Sequence, residues 1–132
     1  MREVTGLVAW VTGAGTGIGE ATAVMLGAAG VKVALSGRRA DLLADVAARI
    51  NAAGGAAMDV PLDVTDRDGV IAAAAQITAE FGQINILFNN HGMNVQNRDW
   101  AGSALEGWDD VIDVNVKGVY NCTAAVLPGM RQ

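Results

Sequence analysis

Apolar residues along this chain alternate between short continuous runs and stripes with helical spacing. The runs at 7–11, 31–35, 56–62 and 84–88 have the length and bulk of buried strands. Between them, apolar residues recur every three or four positions, which is typical of helices with one face on a core. The three stripes are Ile18, Thr22, Met25 and Ala29; Leu43, Val46, Ala47 and Ile50; and Val70, Ala74, Ile77 and Phe81. Glycines at 30, 54 and 82 follow the stripes and predict the helix ends.

Four strands that alternate with helices predict an α/β fold. Because parallel strands need crossover connections, the helices should cover both faces of a parallel sheet. We expect a Rossmann-type, doubly wound sheet in the order 3-2-1-4. No linker or internal repeat interrupts the pattern, so residues 1–132 should form one domain. Thr65 and Ser103, each followed three residues later by an acid, predict the starts of the third and fourth helices.

The last predicted helix is apolar on nearly every side. One stripe consists of Leu105, Trp108, Ile112, Val119 and Val126, and further apolar residues cover much of the remaining surface. Such a helix packs on more than one side. The strand at 84–88 would also be an apolar sheet edge with unpaired backbone groups. We therefore expect more chain or another subunit to cover this region, and we expect a homo-oligomer or a complementing chain.

Composition excludes several classes of partner. Hydrophobic residues make up 52% of the chain and charged residues 17%, which favours a packed core over disorder. The net charge of −5, without a basic run, argues against nucleic acid. No apolar segment approaches the roughly 18 residues of a membrane span. The single cysteine, Cys122, excludes an internal disulfide; with no signal-peptide pattern at the start, this predicts a cytoplasmic protein.

The strongest motif is the sequence TGAGTGIG at 12–19, between the first strand and the first helix. Glycines let the backbone turn sharply and approach a ligand, and the helix start offers free N–H groups to a pyrophosphate. A tight turn without a ligand is the alternative. The spacing G-x-G-x-x-G would need a third glycine where Ile18 stands, whereas T-G-x-x-x-G-x-G fits. The residues assigned to cofactor binding in this turn are Thr12, Gly13, Gly15, Thr16, Gly17, Ile18 and Gly19.

Three further motifs follow in order along the chain. Asp63-Val64 follows the third strand, Asn89-Asn90-His91-Gly92 follows the fourth, and Asn115 lies in the last helix. Together with the glycine turn, they resemble the short-chain dehydrogenase/reductase family, whose N-N-A-G motif has alanine where this chain has His91. The resemblance covers the N-terminal half of that fold, and it implies that the sheet is truncated after about four strands.

The resemblance also implies roles for these residues. Asp63 would bond the adenine amino group, with Val64 beside it, and Asn90, His91 and Gly92 would line the cofactor site. Asn115 would kink its helix and hold a water in a proton relay; as a purely structural residue it would be a core asparagine bonded to the helix backbone. His91 could relay protons or could be a tolerated side chain that points away from the site.

The end of the second strand favours NADP(H) over NAD(H). The sequence there is Ser36-Gly37 and lacks the acid that bonds a ribose 2′-hydroxyl in NAD-binding proteins. Arg38 and Arg39 follow and suit a 2′-phosphate by charge and by forked hydrogen bonding. Alternatively, both arginines could be solvated or paired with Asp41 and Asp45.

The family resemblance implies an NAD(P)-dependent oxidoreductase that transfers a hydride between a nicotinamide and a carbonyl or alcohol substrate. The family uses a serine, a tyrosine and a lysine four residues after the tyrosine. Here the single tyrosine, Tyr120, has Ala124 at that position, so we interpret it as a packing residue and expect this chain alone to be inactive. The segment 93–100 would line the cleft entrance. A non-catalytic NADP-binding module or regulator, and a product with no stable fold, are the alternatives.

Overall fold

The computed structural model describes residues 3–96, 99–102 and 105–132. Four strands form one parallel sheet in the order β3-β2-β1-β4. The strands are β1 (Val8–Thr12), β2 (Lys32–Ser36), β3 (Ala56–Asp59) and β4 (Ile86–Phe88). The predicted α/β class, doubly wound topology and strand order are therefore confirmed, with the third and fourth strands shorter than their apolar runs.

Helices connect the strands and follow the last one. They are α1 (Gly17–Ala28), α2 (Ala40–Ala52), α3 (Arg67–Phe81), α4 (Leu105–Ile112) and α5 (Gly118–Met130), with a π segment at Asp113–Lys117 between α4 and α5. The predicted cap at Ser103 lies outside the described residues. Within the described part of the chain, no helix has the length and apolar character to cross a membrane.

Helices cover both faces of the sheet, so side chains of β1 are buried on both sides. Alternate residues along a strand point to opposite faces. One face of the sheet packs under α1 and α2, where the predicted α2 stripe of Leu43, Val46, Ala47 and Ile50 is buried. The other face carries Trp10, which is fully buried with the α3 residues Val70, Ala74 and Ile77.

The predicted apolar face of α1 is wrong. Ile18 and Met25 are each 72% exposed, whereas Gly19, Ala23 and Gly27 face the core. Close approach explains the choice: a Cβ at Gly19 would lie 2.2 Å from the Gly13 carbonyl oxygen, and one at Gly27 would lie 2.7 Å from Ile50 Cγ2. Because α1 packs so close to its neighbours, only the smallest residues fit on its inner face.

The predicted cap of α3 is displaced by one residue. Asp66, not Thr65, is the N-cap, and its Oδ1 accepts a hydrogen bond from the Gly69 N–H at 3.1 Å. The Thr65 hydroxyl instead donates to Asp63 Oδ1 at 2.7 Å. An acid at the N-cap satisfies a free N–H group and also complements the helix dipole.

The region after β4 exposes much of its apolar surface. Leu105 is 78% exposed, Ile112 51% and Tyr120 63%, while Val126 is buried against α3 and the sheet. The predicted packing role of Tyr120 is therefore not fulfilled by the described residues; the Arg67 guanidinium lies 5.9 Å from its ring centre. As expected, β4 is an edge strand.

Candidate functional site

A cleft of about 610 Å³ opens at the carboxyl ends of β1, β2 and β4. The chain passes from β1 to β2 on one side of β1, whereas β4 lies on its other side. Open α/β sheets bind ligands at such a point, where the strand order reverses. Ten residues assigned from the sequence line it: Gly13, Thr16, Gly17, Ile18, Arg38, Arg39, Val64, Asn90, His91 and Gly92. Gly15 lines an adjoining depression of about 270 Å³. Thr12, Gly19, Asp63 and Asn115 lie outside both linings.

The glycine turn forms one wall of the cleft. Gly13 has φ +61° and Gly17 has φ +57°, a left-handed conformation that costs side-chain-bearing residues energy. Thr16 is the N-cap of α1, and no side chain caps the helix start. The first N–H groups of α1 therefore remain available to an anion. Ile18 is exposed because it faces the cleft and not the core.

Thr12 lies beneath the cleft and joins β1 to the loop after β4. Its buried hydroxyl oxygen accepts from the backbone N–H groups of Asn90 at 3.0 Å and His91 at 3.3 Å. The Asn90 side-chain amide donates to the Gly13 carbonyl at 3.2 Å. Thr12 therefore positions the Asn90–Gly92 loop against the glycine turn, and it does so without lining the cleft.

The wall after β2 carries two cations. Arg39 lies 3.5 Å from Asp41, with both side chains 70% exposed, so solvent screens this pair. The alternative in which Arg38 and Arg39 pair with Asp41 and Asp45 is partly wrong, since Asp45 pairs with Arg49. Ser36 is buried, accepts from the Trp10 indole N–H at 2.9 Å and donates to the Val60 carbonyl at 2.8 Å. Its hydroxyl is therefore committed to the core and not to the cleft.

Asp63 stands beside the cleft in a fixed orientation. Hydrogen bonds from the Thr65 hydroxyl and the Thr65 backbone N–H lower the pKa of Asp63, burial partly opposes them, and the charge of Arg38 lowers the pKa a little further. The carboxylate is therefore ionised at neutral pH. Its neighbour Val64 lines the cleft directly.

Asn115 lies in the π segment and is exposed, so its predicted burial is wrong. Its Oδ1 accepts from the Met93 N–H at 2.8 Å and its Nδ2 donates to the Met93 carbonyl at 2.9 Å. The amide therefore bonds a neighbouring loop. The structural interpretation, which expected a bond to the helix backbone, is wrong on this point. The helix irregularity that the family resemblance implied is present as a π segment around this residue.

The His91 ring is partly buried between β1 and α5. Its Nδ1 lies 2.7 Å from Thr12 Oγ1, and its Nε2 is buried without a hydrogen bond of ordinary geometry. Desolvation lowers the pKa of His91, and the nearby Val114 carbonyl partly opposes this. A Cβ at Gly118 would lie 2.7 Å from Nε2, so glycine is needed where α5 passes the ring.

Three residues of the lining were missed from the sequence. Gly37 and Leu62 line the cleft, and their positions just after β2 and β3 were the available signal. Val114 also lines it, because the loop after Gly92 folds onto the π segment, and that long-range contact has no sequence signal. Met93, the first residue of the segment expected at the cleft entrance, lines the cleft. In the predicted entrance segment, Trp100 stacks on Trp108 with ring centres 5.1 Å apart, and residues 97 and 98 lie outside the described part.

A second cleft of about 610 Å³ lies between α3 and α5. Its lining includes Ile71, Ala75, Ala79 and Val126, and the described residues around it contribute no charged side chain. It also lacks a helix N-terminus with free N–H groups among its lining residues. Chemistry rather than volume therefore favours the cleft at the strand ends as the binding site.

Comparison with known proteins gives a consistent result. The family model described as short chain dehydrogenase matches residues 7–132. An uncharacterized oxidoreductase of Staphylococcus saprophyticus is 40% identical over 131 residues, which are 98% of this chain and 56% of that protein. The chain thus spans about half the length of the curated relatives that it matches.

Two solved structures superpose closely on the chain. A metagenomic short-chain oxidoreductase in complex with NADP has a TM-score of 0.91 and 36% identity, covering 98% of this chain and 58% of that one. A short-chain dehydrogenase/reductase from Burkholderia phymatum in complex with NAD has a TM-score of 0.92 and 35% identity, covering 98% and 46%.

Proposed function

The chain belongs to the short-chain dehydrogenase family, and on this premise we propose that it forms the dinucleotide-binding part of an NAD(P)-dependent oxidoreductase. The observation that carries the proposal is the glycine turn, which leaves the first N–H groups of α1 uncapped beside a cleft at the strand ends. These groups and the positive end of the helix dipole suit a pyrophosphate. A nicotinamide cofactor supplies or accepts a hydride at a carbonyl or alcohol carbon.

Each part of the cofactor has a matching wall of the cleft. Gly13–Gly19 would hold the pyrophosphate, with Gly15 and Thr16 near the adenosine side beside Arg38. Asp63, fixed by Thr65, would accept from the adenine amino group, as in the family. The Asn90–Gly92 backbone, held by Thr12, would face the nicotinamide half.

We propose that the site prefers NADP(H). One solved neighbour is in complex with NADP and another with NAD, so the cofactor preference must be argued from the residues of this chain. Arg38 and Arg39 are the charged side chains in the lining of the cleft, and Ser36 is buried and committed to the core. A 2′-phosphate would gain charge-assisted bonds here, whereas a 2′-hydroxyl would meet no acid.

The test is to measure dissociation constants of NADP(H) and NAD(H) at one salt concentration, for the purified protein and for the double variant Arg38→Ala/Arg39→Ala. Loss of bonds to a charged group should weaken NADP(H) by about tenfold or more and leave NAD(H) nearly unchanged. Arg49→Ala is the matched control, because Arg49 is an α2 arginine that pairs with Glu20 and Asp45 outside the cleft. Tighter binding of NAD(H) by the unaltered protein would contradict the preference.

We also propose that Asn115 belongs to the catalytic machinery and that residues outside these 132 supply the acid/base group. Tyr120 has Ala124 rather than lysine four residues later and is 63% exposed on α5. A kinetic assay of this chain alone, with a panel of carbonyl and alcohol substrates, should show no turnover. Turnover by it would contradict this assignment. Cofactor binding by the whole protein with no turnover on any substrate would favour the alternative, a non-catalytic NADP-binding module.

A cytoplasmic location, a homo-oligomer and a small carbonyl or alcohol substrate remain part of the proposal. The location and the substrate rest on the family, and the oligomer rests on the apolar surface of the π segment and α5, where Val116, Tyr120 and Leu127 are exposed. Sedimentation of the purified protein would test the oligomer, and a single species of monomer mass would contradict it.

A further inference from the structure

The π segment leaves one backbone carbonyl without its usual helical partner. The Gly118 N–H bonds to the Asp113 carbonyl, five residues back, where an α-helix would direct it to Val114. The Val114 carbonyl thereby loses the partner that an α-helix would provide. Val114 is 7% exposed, so water has little access to it, and a buried carbonyl needs a donor.

Hydrogen-bond counting at Thr12 fixes the state of the His91 ring. The Thr12 oxygen already accepts from two backbone N–H groups, those of Asn90 and His91, which occupies both of its lone pairs. What remains is its single O–H donor. His91 Nδ1 lies 2.7 Å away, closer than the Phe88 carbonyl at 3.3 Å. The hydroxyl therefore donates to Nδ1, so Nδ1 must be the unprotonated nitrogen and Nε2 must carry the hydrogen.

We propose that neutral His91, protonated at Nε2, bridges the Thr12 hydroxyl and the Val114 carbonyl. The bridge gives Nε2, which is otherwise buried without a partner, a bond to the Val114 carbonyl, which the Gly118 N–H does not occupy. It joins the end of β1 to the π segment through one side chain. An alanine at this position, as in the family motif, could make neither bond.

The bridge makes His91 a positioning residue for the site of the proposed function, on which this inference rests. Thr12 holds the loop at Asn90 against Gly13, and Val114 precedes Asn115, which holds Met93. His91 therefore fixes the distance between the glycine turn and the Asn115 region. The close packing of Gly118 over the ring leaves little room for another arrangement.

Charged groups near the ring do not act on it directly. On the helix side, Asp113 and Lys117 pair with each other at 2.9 Å, and on the β3 side Asp63 is bonded to Thr65. Burial and the Val114 carbonyl are the influences on the pKa of His91 that the described residues exert. A protonated ring would place an Nδ1 hydrogen against an oxygen that has no free lone pair. The bridge should therefore open as pH falls through the pKa of His91, below its ordinary value.

The direct test is nitrogen-15 NMR of the imidazole in the purified protein without cofactor. His91 is the single histidine of the chain, and comparison with His91→Gln identifies its signal if the protein holds others. The expected spectrum at neutral pH is that of the Nε2–H tautomer. An Nδ1–H tautomer, or a charged ring at neutral pH, would overturn the proposal. Because no cofactor is present, this outcome is independent of whether the proposed function is correct.

The second test compares NADP⁺ dissociation constants across pH for the protein and for His91→Ala, His91→Asn and His91→Gln. The alanine variant should bind about three- to tenfold more weakly at neutral pH, in line with one or two lost hydrogen bonds. After correction for the titration of NADP⁺ itself, the parent protein should lose affinity as pH falls through the pKa of His91. The alanine variant should not show this loss. Asn and Gln each retain one bond and should restore part of the affinity. Identical pH profiles for the parent and the alanine variant would overturn the proposal.

Discussion

Two regions of this molecule treat their apolar residues in opposite ways. The strands β1 and β2 with α2 bury most of their large apolar side chains: Val11, Val33 and Leu35 are all fully inaccessible. The region after β4 leaves Leu105, 78% exposed, and Tyr120, 63% exposed, at the surface. The first region thus completes its own core and holds the glycine turn on a rigid base, while the second presents an apolar surface.

Polar bonds join the second region to the first, in addition to the core that Val114, Cys122 and Val126 share with β1 and α3. Asn121 is buried on α5, donates to the Val64 carbonyl at 3.0 Å and accepts from Arg67 Nε at 3.2 Å. Asn115 holds Met93, and His91 contacts Thr12. All of these bonds meet near the cleft. The boundary between the regions is therefore also where the candidate site is assembled.

The largest expected difference between the regions is at two tryptophans. Trp10→Ala should lower the free energy of unfolding by about 3–5 kcal/mol, because it leaves a cavity in a fully buried site. Trp100→Ala should cost about 1 kcal/mol or less, since Trp100 is 80% exposed and loses mainly its stack on Trp108. Urea unfolding followed by circular dichroism measures both. Equal losses would contradict the division into two regions.

The next largest difference between the two regions is expected for alanine substitutions at two glycines. Gly19→Ala should abolish cofactor binding and cost about 1–3 kcal/mol, because its Cβ would meet the Gly13 carbonyl, which cannot move without opening the turn. Gly129→Ala on α5 is the matched control. The nearest atom to its Cβ is Gln83 Cγ at 3.9 Å, so better helix propensity should stabilise the protein by up to about 1 kcal/mol. Thermal unfolding with and without NADP(H) separates the two effects, and normal binding by the Gly19 variant would refute the close-approach argument.

The cap of α3 predicts a smaller effect. Asp66→Ala should cost about 1 kcal/mol, because the Gly69 N–H loses its acceptor at the helix start. Asp68→Ala is the control: it removes an acid from the same turn, and only its favourable interaction with the helix dipole, about 0.3–1 kcal/mol, should be lost. Denaturant midpoints compare the pair. A larger loss for Asp68 would mean that charge rather than capping fixes the start of α3.

The smallest effect concerns pH and Asp63. The folded-state pKa of Asp63 is below its usual 3.8, because the Thr65 hydroxyl and N–H bond the ionised form. Its contribution to stability is fully present above the unfolded pKa and is lost as pH falls through the folded value. Thr65→Val removes the hydroxyl donor, so less stability should be lost as pH falls from neutral to below the folded-state pKa of Asp63. An unchanged slope of unfolding free energy against pH would show that the hydroxyl has no such role.

The sequence predicted the sheet and the α2 and α3 faces correctly because those helices pack with large apolar side chains. It failed at α1, where the inner face consists of Gly19, Ala23 and Gly27, since hydrophobicity scales rank a packed glycine below an exposed methionine. The glycine turn was predictable because local spacing determines it. The contact between Asn115 and Met93 was not predictable from local spacing, since 22 residues separate them, although the family resemblance implied a helix irregularity at Asn115.

The most direct test of the central claim is hydrogen exchange of the purified protein with and without saturating NADP(H). Two clefts of equal volume are available, one at the strand ends and one between α3 and α5. The account predicts slower exchange at the amides of Gly13–Gly19 and Asn90–Gly92 and no change around Ala75 and Ala79. Protection confined to the cleft between α3 and α5, or no protection anywhere, would contradict it.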